Sequence, residues 1–286
     1  MASMEIHGGH VEYELLGPAG GQPVVLTPGG RFSKDVPGLR PLAQALADGG
    51  LRVLIWDRPN CGASDVQFYG RSESHMRADT LAELLTRLDM APAVIAGGSG
   101  GARDSLVTAM LHPEVASKVA VWWIVGGVFS TYNLGAYYIL PNINTVRRMG
   151  MDGVLNLPAW QEVLAANPRN KERFLALEPG EFQAIMLRWL NAFVPKPGQT
   201  IPGVEDEKFG NIGVPTMIIR GGVDDLDHPK RTSLEVQCLI RGSELVEPPW
   251  PEDAWERSTA AQANGTGNRF DPWIQAAPLL LEFATR

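Results

Sequence analysis

An α/β fold built on a mostly parallel, doubly wound sheet is predicted by three observations. Short apolar, β-branched runs alternate with amphipathic helical patterns from about residue 20 to residue 130, as expected of strands buried on both faces by crossover helices. One run, Ala93-Val94-Ile95-Ala96, stops at Gly97-Gly98-Ser99-Gly100-Gly101 and gives way at once to a helical pattern. The alternation lapses near residue 130 and resumes at Val214, so a long insertion interrupts the sheet.

The elements follow in order. Residues 4–17 alternate loosely and read as one or two opening strands, ended by the turn Gly17-Pro18-Ala19-Gly20-Gly21. Val24-Val25-Leu26-Thr27 is a short buried strand that runs into Pro28-Gly29-Gly30-Arg31-Phe32. A helix from about Leu39 to Ala47 leads to the strand Leu51–Trp56 and then to a loop rich in turn formers, residues 57–65. From Ala78 to Leu88, the residues Leu81, Leu84, Leu85 and Leu88 fall on one helical face. After the serine strand and its helix, Val119–Val125 is the next buried strand, closed by Gly126-Gly127. From Tyr132 to Gly210 several helices are expected, broken by proline and glycine and rich in aromatic and methionine residues. Most of these are expected to form a small core of their own, with a few facing inward as an apolar roof. Val214–Arg220 reads as a strand, Lys230 to Leu239 as a helix, Ser243–Val246 as the last strand, residues 250–270 as irregular, and Pro272 to Ala284 as the closing helix. Residues 1–130 and 212–286 are therefore assigned to a core domain, and 131–211 to a helical cap. Ligands bind such sheets at the carboxyl ends of the strands, so the loops after Thr27, Trp56, Ala96 and Val125 should meet at one place.

The serine motif is weak evidence alone, because the chain has 31 glycines. No Gly-Lys-Ser/Thr follows it, which disfavours a phosphate loop. Its strand–turn–helix context gives the glycines a reason: the serine sits on strained backbone, and neighbours with a Cβ would collide with strand or helix. The Gly100 N–H, at the mouth of the new helix, is then placed to face a developing negative charge.

With these pieces in this order, the chain resembles the α/β-hydrolase family over residues 20–130 and 212–286, with the intervening stretch in the family's cap position. The resemblance is carried by Pro28-Gly29-Gly30, by Trp56-Asp57-Arg58-Pro59-Asn60-Cys61-Gly62-Ala63-Ser64-Asp65, by the glycine-flanked Ser99, and by Gly222-Val223-Asp224-Asp225 before Pro229. It implies Ser99 as nucleophile, Gly30 and Gly100 as oxyanion-hole amides, and Asp225 as the acid, with Asp224 and Asp227 as alternatives. The family's base is a histidine just after the last strand. This sequence departs there: residues 244–253 hold no histidine, and none follows His228. A serine without a base is a poor nucleophile. Of the five histidines, His228, three residues past Asp225, is the candidate to fill that space. Glu252 is the second candidate base, since a carboxylate shielded by Trp250 and Pro251 would have a raised pKa.

The function expected on this resemblance is a serine-dependent hydrolase of a small apolar carbonyl compound, an ester by default. The loop at Asp57-Arg58-Pro59-Asn60 is also similar to that of meta-cleavage product hydrolases, whose keto-acid substrates need a cation. Arg31 and Arg103 are the candidates for it, and Trp189 is a candidate for the apolar wall. The alternative is a member of the fold that binds a ligand without turnover, or that catalyses proton transfer or elimination. No cofactor or metal is expected. A net charge of -7 argues against nucleic acid or an anionic membrane as partner, leaving a small-molecule substrate and an open question of homodimerisation. Two cysteines make no disulfide framework, and the N-terminus lacks a basic segment followed by an apolar run, so a cytoplasmic location is expected.

Overall fold

The computed structural model describes residues 2–286. Strands β1 (Ala2–Ile6) and β2 (Gly9–Leu16) form a hairpin with Ile6 opposite Gly9, and β2 runs antiparallel to β4 (Arg52–Trp56). Beyond β4 the pairing is parallel, through β3 (Pro23–Thr27), β5 (Ala93–Gly98), β6 (Ala116–Trp122), β7 (Thr216–Ile219) and β8 (Glu244–Val246). The spatial order is β1-β2-β4-β3-β5-β6-β7-β8.

The central strands are apolar along their whole length because both sheet faces are covered, and alternate residues feed different cores. Val25, Ile95, Val119, Val121 and Ile218 point to one side, under α2 (Glu73–Arg87), α3 (Gly100–Leu111) and α9 (Lys230–Leu239). Val24, Leu26, Val94, Ala120, Trp122 and Ile219 point to the other, under α1 (Leu39–Asp48) and α11 (Ala277–Thr285). Each large apolar side chain so buried contributes about 1.5–3 kcal/mol relative to exposure.

Between β6 and β7 the chain makes α4 (Gly127–Tyr138), α5 (Leu140–Leu155), α6 (Pro158–Ala166), α7 (Arg169–Leu175) and α8 (Pro179–Leu190). Their shared core is built on Trp160, Phe174, Phe182, Met186 and Trp189, around Phe68 from the loop after β4. No helix among the described residues is long and apolar enough to cross a membrane.

Several element ends differ from the sequence reading. Helix α2 begins at Glu73 rather than Ala78, because the Ser72 side chain accepts the His75 N–H as an N-cap. Its first turn is polar, so a search for apolar periodicity passes it over. Strand β6 stops at Trp122, since Trp123 takes a positive φ of 47° and turns the chain out of the sheet. Residues 250–270 contain α10 (Ala254–Ala263), whose interior buries little beyond Ala254 and Ser258 and so shows no apolar stripe.

Helix α3 packs so closely under β3 that a Cβ on Gly101 would lie 2.1 Å from the Thr27 carbonyl oxygen and 2.6 Å from that of Pro28. Gly101→Ala should therefore lower stability in urea unfolding by about 1–3 kcal/mol, the usual cost of forced overpacking. Gly213→Ala, where a Cβ meets open space, should stay within about 0.5 kcal/mol of the wild type.

Candidate active site

Ser99 occupies the turn between β5 and α3 with φ 56° and ψ -125°. A residue with a Cβ held there costs about 1–3 kcal/mol, so its surroundings must enforce it. The Ser99 N–H donates to the Trp122 carbonyl at 3.1 Å, and the Ser99 carbonyl accepts from the Ala102 N–H at 3.0 Å. Strand and helix thus grip the residue from both sides and leave its hydroxyl at the cavity.

The loop leaving β7 brings two further groups to that hydroxyl. His228 Nε2 lies 2.9 Å from Ser99 Oγ, and His228 Nδ1 lies 3.1 Å from Asp225 Oδ2. Ser99, His228 and Asp225 are only 8%, 1% and 3% exposed. An ionised carboxylate can only accept, so Nδ1 carries the ring proton and Nε2 is free to accept from the serine. The other Asp225 oxygen accepts the backbone N–H groups of Asp227 and His228, both at 2.8 Å, which closes the loop around the acid. The imidazole is held between two indoles: Trp123 stacks on it at 5.7 Å and 20°, and Trp255 meets it edge-on at 4.4 Å and 88°. Trp255 in turn donates from Nε1 to Asp227 Oδ2 at 2.9 Å.

A Cβ on Gly100 would lie 3.0 Å from the Gly30 nitrogen, so the two residues' backbones are neighbours beside the serine. Both residues line a cavity of about 330 Å³ with Ser99 and His228. The aromatics that reach this space include Phe32, Tyr137, Tyr138, Phe193, Trp255 and Phe270.

The wall is more charged than the apolar pocket expected from the cap's composition, since Arg31, Glu73, Arg77, Arg103, Asp227 and Arg269 also border the cavity. Arg31 lies 3.2 Å from Glu73, which also pairs with Arg77 at 3.1 Å and accepts from Asn60 at 3.1 Å. Burial alone would raise the Glu73 pKa, but the two guanidinium groups and the amide outweigh it and hold the carboxyl at about 2. Among the described residues no cluster of three or more His, Cys, Asp or Glu side chains is arranged to hold a metal ion.

The structure therefore gathers Ser99, His228, Gly30, Gly100, Arg31 and Arg103 around one cavity and places Asp225 behind the histidine. Two sequence candidates lie elsewhere. The Glu252 carboxylate is half exposed and pairs with Arg220, which holds its pKa below the ordinary value rather than above it. Trp189 is fully buried in the helical insertion against Phe68 and does not border the cavity. Asp224 is exposed, while Asp227 is engaged by Trp255. His112 is also removed from the cavity, bonded to Asp79 at 2.8 Å. The sequence reading missed Trp123 and Trp255 as the walls of the histidine. Trp123 could have been found, because it follows a buried strand at the sheet's carboxyl end. Trp255 lies on the helix that carried no visible pattern.

The depressed pKa of Glu73 sets an acid-stability test. Its folded value lies below the ordinary 4.5, so its contribution is fully present above that pH and fades as pH falls toward about 2. Glu73→Gln should cost about 3 kcal/mol at neutral pH by leaving buried arginines unpaired. The gap to the wild type in thermal melts should close across that acidic window.

The model of the Alpha/beta hydrolase family matches residues 24–275. Solved structures with the same architecture include a meta-cleavage product hydrolase from Pseudomonas fluorescens, 21% identical with TM-score 0.60 over 100% of this chain and 97% of that one. An esterase from Rhodococcus sp. is 17% identical with TM-score 0.60, covering 99% and 97%. An enol-lactonase from Burkholderia xenovorans is 19% identical with TM-score 0.56, covering 92% and 98%. Among curated proteins, none matches the chain in sequence. The family match spans the parallel strands β3 to β8 and the helical insertion between them, and it agrees with the strand order described above: the chain belongs to the alpha/beta hydrolase family.

Proposed function

We propose that this protein is a serine hydrolase of a small carbonyl substrate, an ester in the first instance, with Ser99 as nucleophile, His228 as base and Asp225 as its orienting acid. The observation that carries the reading is the unbroken hydrogen-bonded chain Ser99 Oγ–His228 Nε2, His228 Nδ1–Asp225 Oδ2, buried and opening only on the cavity. In this reading Nε2 takes the hydroxyl proton as Oγ attacks the carbonyl carbon, and the resulting imidazolium is stabilised by Asp225. The carbonyl oxygen becomes an oxyanion facing the Gly30 and Gly100 N–H groups. Donors of this kind are typically worth about 2.7–4 kcal/mol each when removed by mutation. His228 then returns the proton to the departing alkoxide, and water repeats the cycle on the acyl-serine. A cavity of about 330 Å³ suits a small substrate.

A strained serine with a base and paired amides favours covalent chemistry over ligand storage, since a binding protein gains nothing from the turn at Ser99. Glu252 plays no part, because a carboxylate neutralised by Arg220 is both remote and too weakly basic.

Incubation with a fluorophosphonate should label Ser99, and Ser99→Ala should abolish both the label and turnover of p-nitrophenyl acetate. His228→Ala should lower kcat by about 10⁴-fold or more, and Asp225→Asn by about 10⁴-fold through loss of the correct tautomer. Asp224→Asn and Glu252→Gln should change it less than about threefold. Activity kept in His228→Ala and lost in Glu252→Gln would reverse the assignment of the base. Trp255→Phe keeps an aromatic edge on the imidazole but removes the hydrogen bond to Asp227. It should reduce kcat by about tenfold, the equivalent of one charge-assisted hydrogen bond of about 1.5 kcal/mol, with KM little changed.

A further inference from the structure

The turn that supplies the Gly30 amide has little to hold it from within. Gly29 and Gly30 flank one peptide bond, and neither has a Cβ to restrict the rotation of that peptide plane. The turn's own backbone bond, from the Phe32 N–H to the Gly29 carbonyl, is long at 3.3 Å. Further restraint comes from Arg58, two residues beyond the end of β4. Arg58 is completely buried and does not border the cavity. Its Nη2 donates to the carbonyls of Gly29 at 3.0 Å, Gly30 at 2.9 Å and Phe32 at 3.3 Å. Its Nη1 donates to Asp104 Oδ2 at 2.9 Å.

Asp104 lies four residues after Gly100 on α3, on the same helical face. Its other oxygen accepts the Ser74 hydroxyl at 2.5 Å. One guanidinium therefore joins the turn after β3 to the start of α3, the two segments that carry Gly30 and Gly100. The carbonyl contacts also fix a direction. The Gly29–Gly30 peptide is trans, so its N–H points opposite to its C=O. With the Gly29 carbonyl drawn back onto Arg58, the Gly30 N–H points away from Arg58. Among the described residues that N–H meets no protein acceptor, and Gly30 borders the cavity, where a ligand can supply one. A carbonyl bonded to a cation also polarises its own peptide, which makes the N–H a stronger donor.

We propose that Arg58 is a positioning residue for the oxyanion hole. It locks the Gly29–Gly30 peptide with its N–H turned to the cavity and, through Asp104, sets that turn against the N-terminus of α3. The role in catalysis rests on the hydrolase reading above. The lock itself rests on the hydrogen bonds alone. Lysine cannot replace the fork, because a single nitrogen does not reach Asp104 and the turn carbonyls together.

Arg58→Met keeps most of the side chain's length and removes every donor. Its crystal structure should show the Gly29–Gly30 peptide rotated out of its wild-type plane, and an unmoved peptide overturns the proposal. On p-nitrophenyl acetate its kcat should fall about 10²-fold, the usual loss when one oxyanion donor is removed, with KM within about threefold. The acid limb of its pH profile should stay in place, because Arg58 makes no hydrogen bond to the Ser99, His228 and Asp225 side chains.

Inhibition separates a misdirected amide from a general loss of packing. Ser99 adds to the carbonyl of 1,1,1-trifluoropentan-2-one to leave an oxyanion, whereas pentan-2-one is bound without addition. The ratio of their inhibition constants should shrink by about 30-fold or more in Arg58→Met, with pentan-2-one held within about threefold of the wild type. An unchanged ratio overturns the proposal, as does a parallel loss of both ketones. Arg58→Lys should show the same shrunken ratio, and a wild-type ratio there overturns the need for the fork. If Arg58→Met has no cooperative melt, the lysine variant, which leaves Asp104 a counter-charge, carries the same measurements. A wild type that neither hydrolyses the ester nor takes a fluorophosphonate retires the hydrolase reading, and the peptide rotation then decides the lock. An active, labelled wild type whose peptide stays put in the variant does the reverse.

Discussion

The Asp225 carboxylate holds the site together, because both of its oxygens are committed. One closes the backbone of its own loop through the N–H groups of Asp227 and His228, and the other takes the imidazole N–H. Buried carboxylates persist only when their acceptor capacity is met, and here the groups that meet it also aim the ring at Ser99. The loop geometry, the tautomer and the approach to the serine all follow from that one anion. The two indoles complete the arrangement by leaving the ring little room to swing away.

Around this relay the protein accepts two local costs. Ser99 and Trp123 both sit at positive φ, at the carboxyl ends of β5 and β6, where the sheet delivers its chain to the cavity. Beside them Arg31, Arg77 and Glu73 keep paired charges out of water, where each ion gives up hydration for its partner. Strain and buried charge are thus concentrated at one end of an otherwise apolar sheet.

Much of this was legible from residue order. The buried strands were visible as apolar runs because both faces of the sheet are covered, and the turn at Ser99 was visible because its glycines are needed for close packing rather than for flexibility. His228 could be singled out by its spacing from Asp225, but no one-dimensional pattern says that a loop will fold a ring back 129 positions onto a serine. Glu252 failed as a base for the same reason: its partner Arg220 lies 32 positions away, and that pairing decides its charge. Trp189 failed because an aromatic residue within a helical insertion can serve the insertion's core or the cavity below it, and helical spacing does not tell the two apart. The polar start of α2, which carries Glu73 and Arg77 into the wall, was hidden because apolar periodicity is blind to a buried ionic turn.

The proximity of acid and histidine on a single short excursion has an architectural corollary. The connection that leaves β8 turns the carboxylates of Glu247 and Glu252 to Arg220, away from the cavity lining. The acid and the ring are therefore fixed together by one loop behind β7, and the later segment reaches them through the indole it packs against the imidazole and bonds to Asp227.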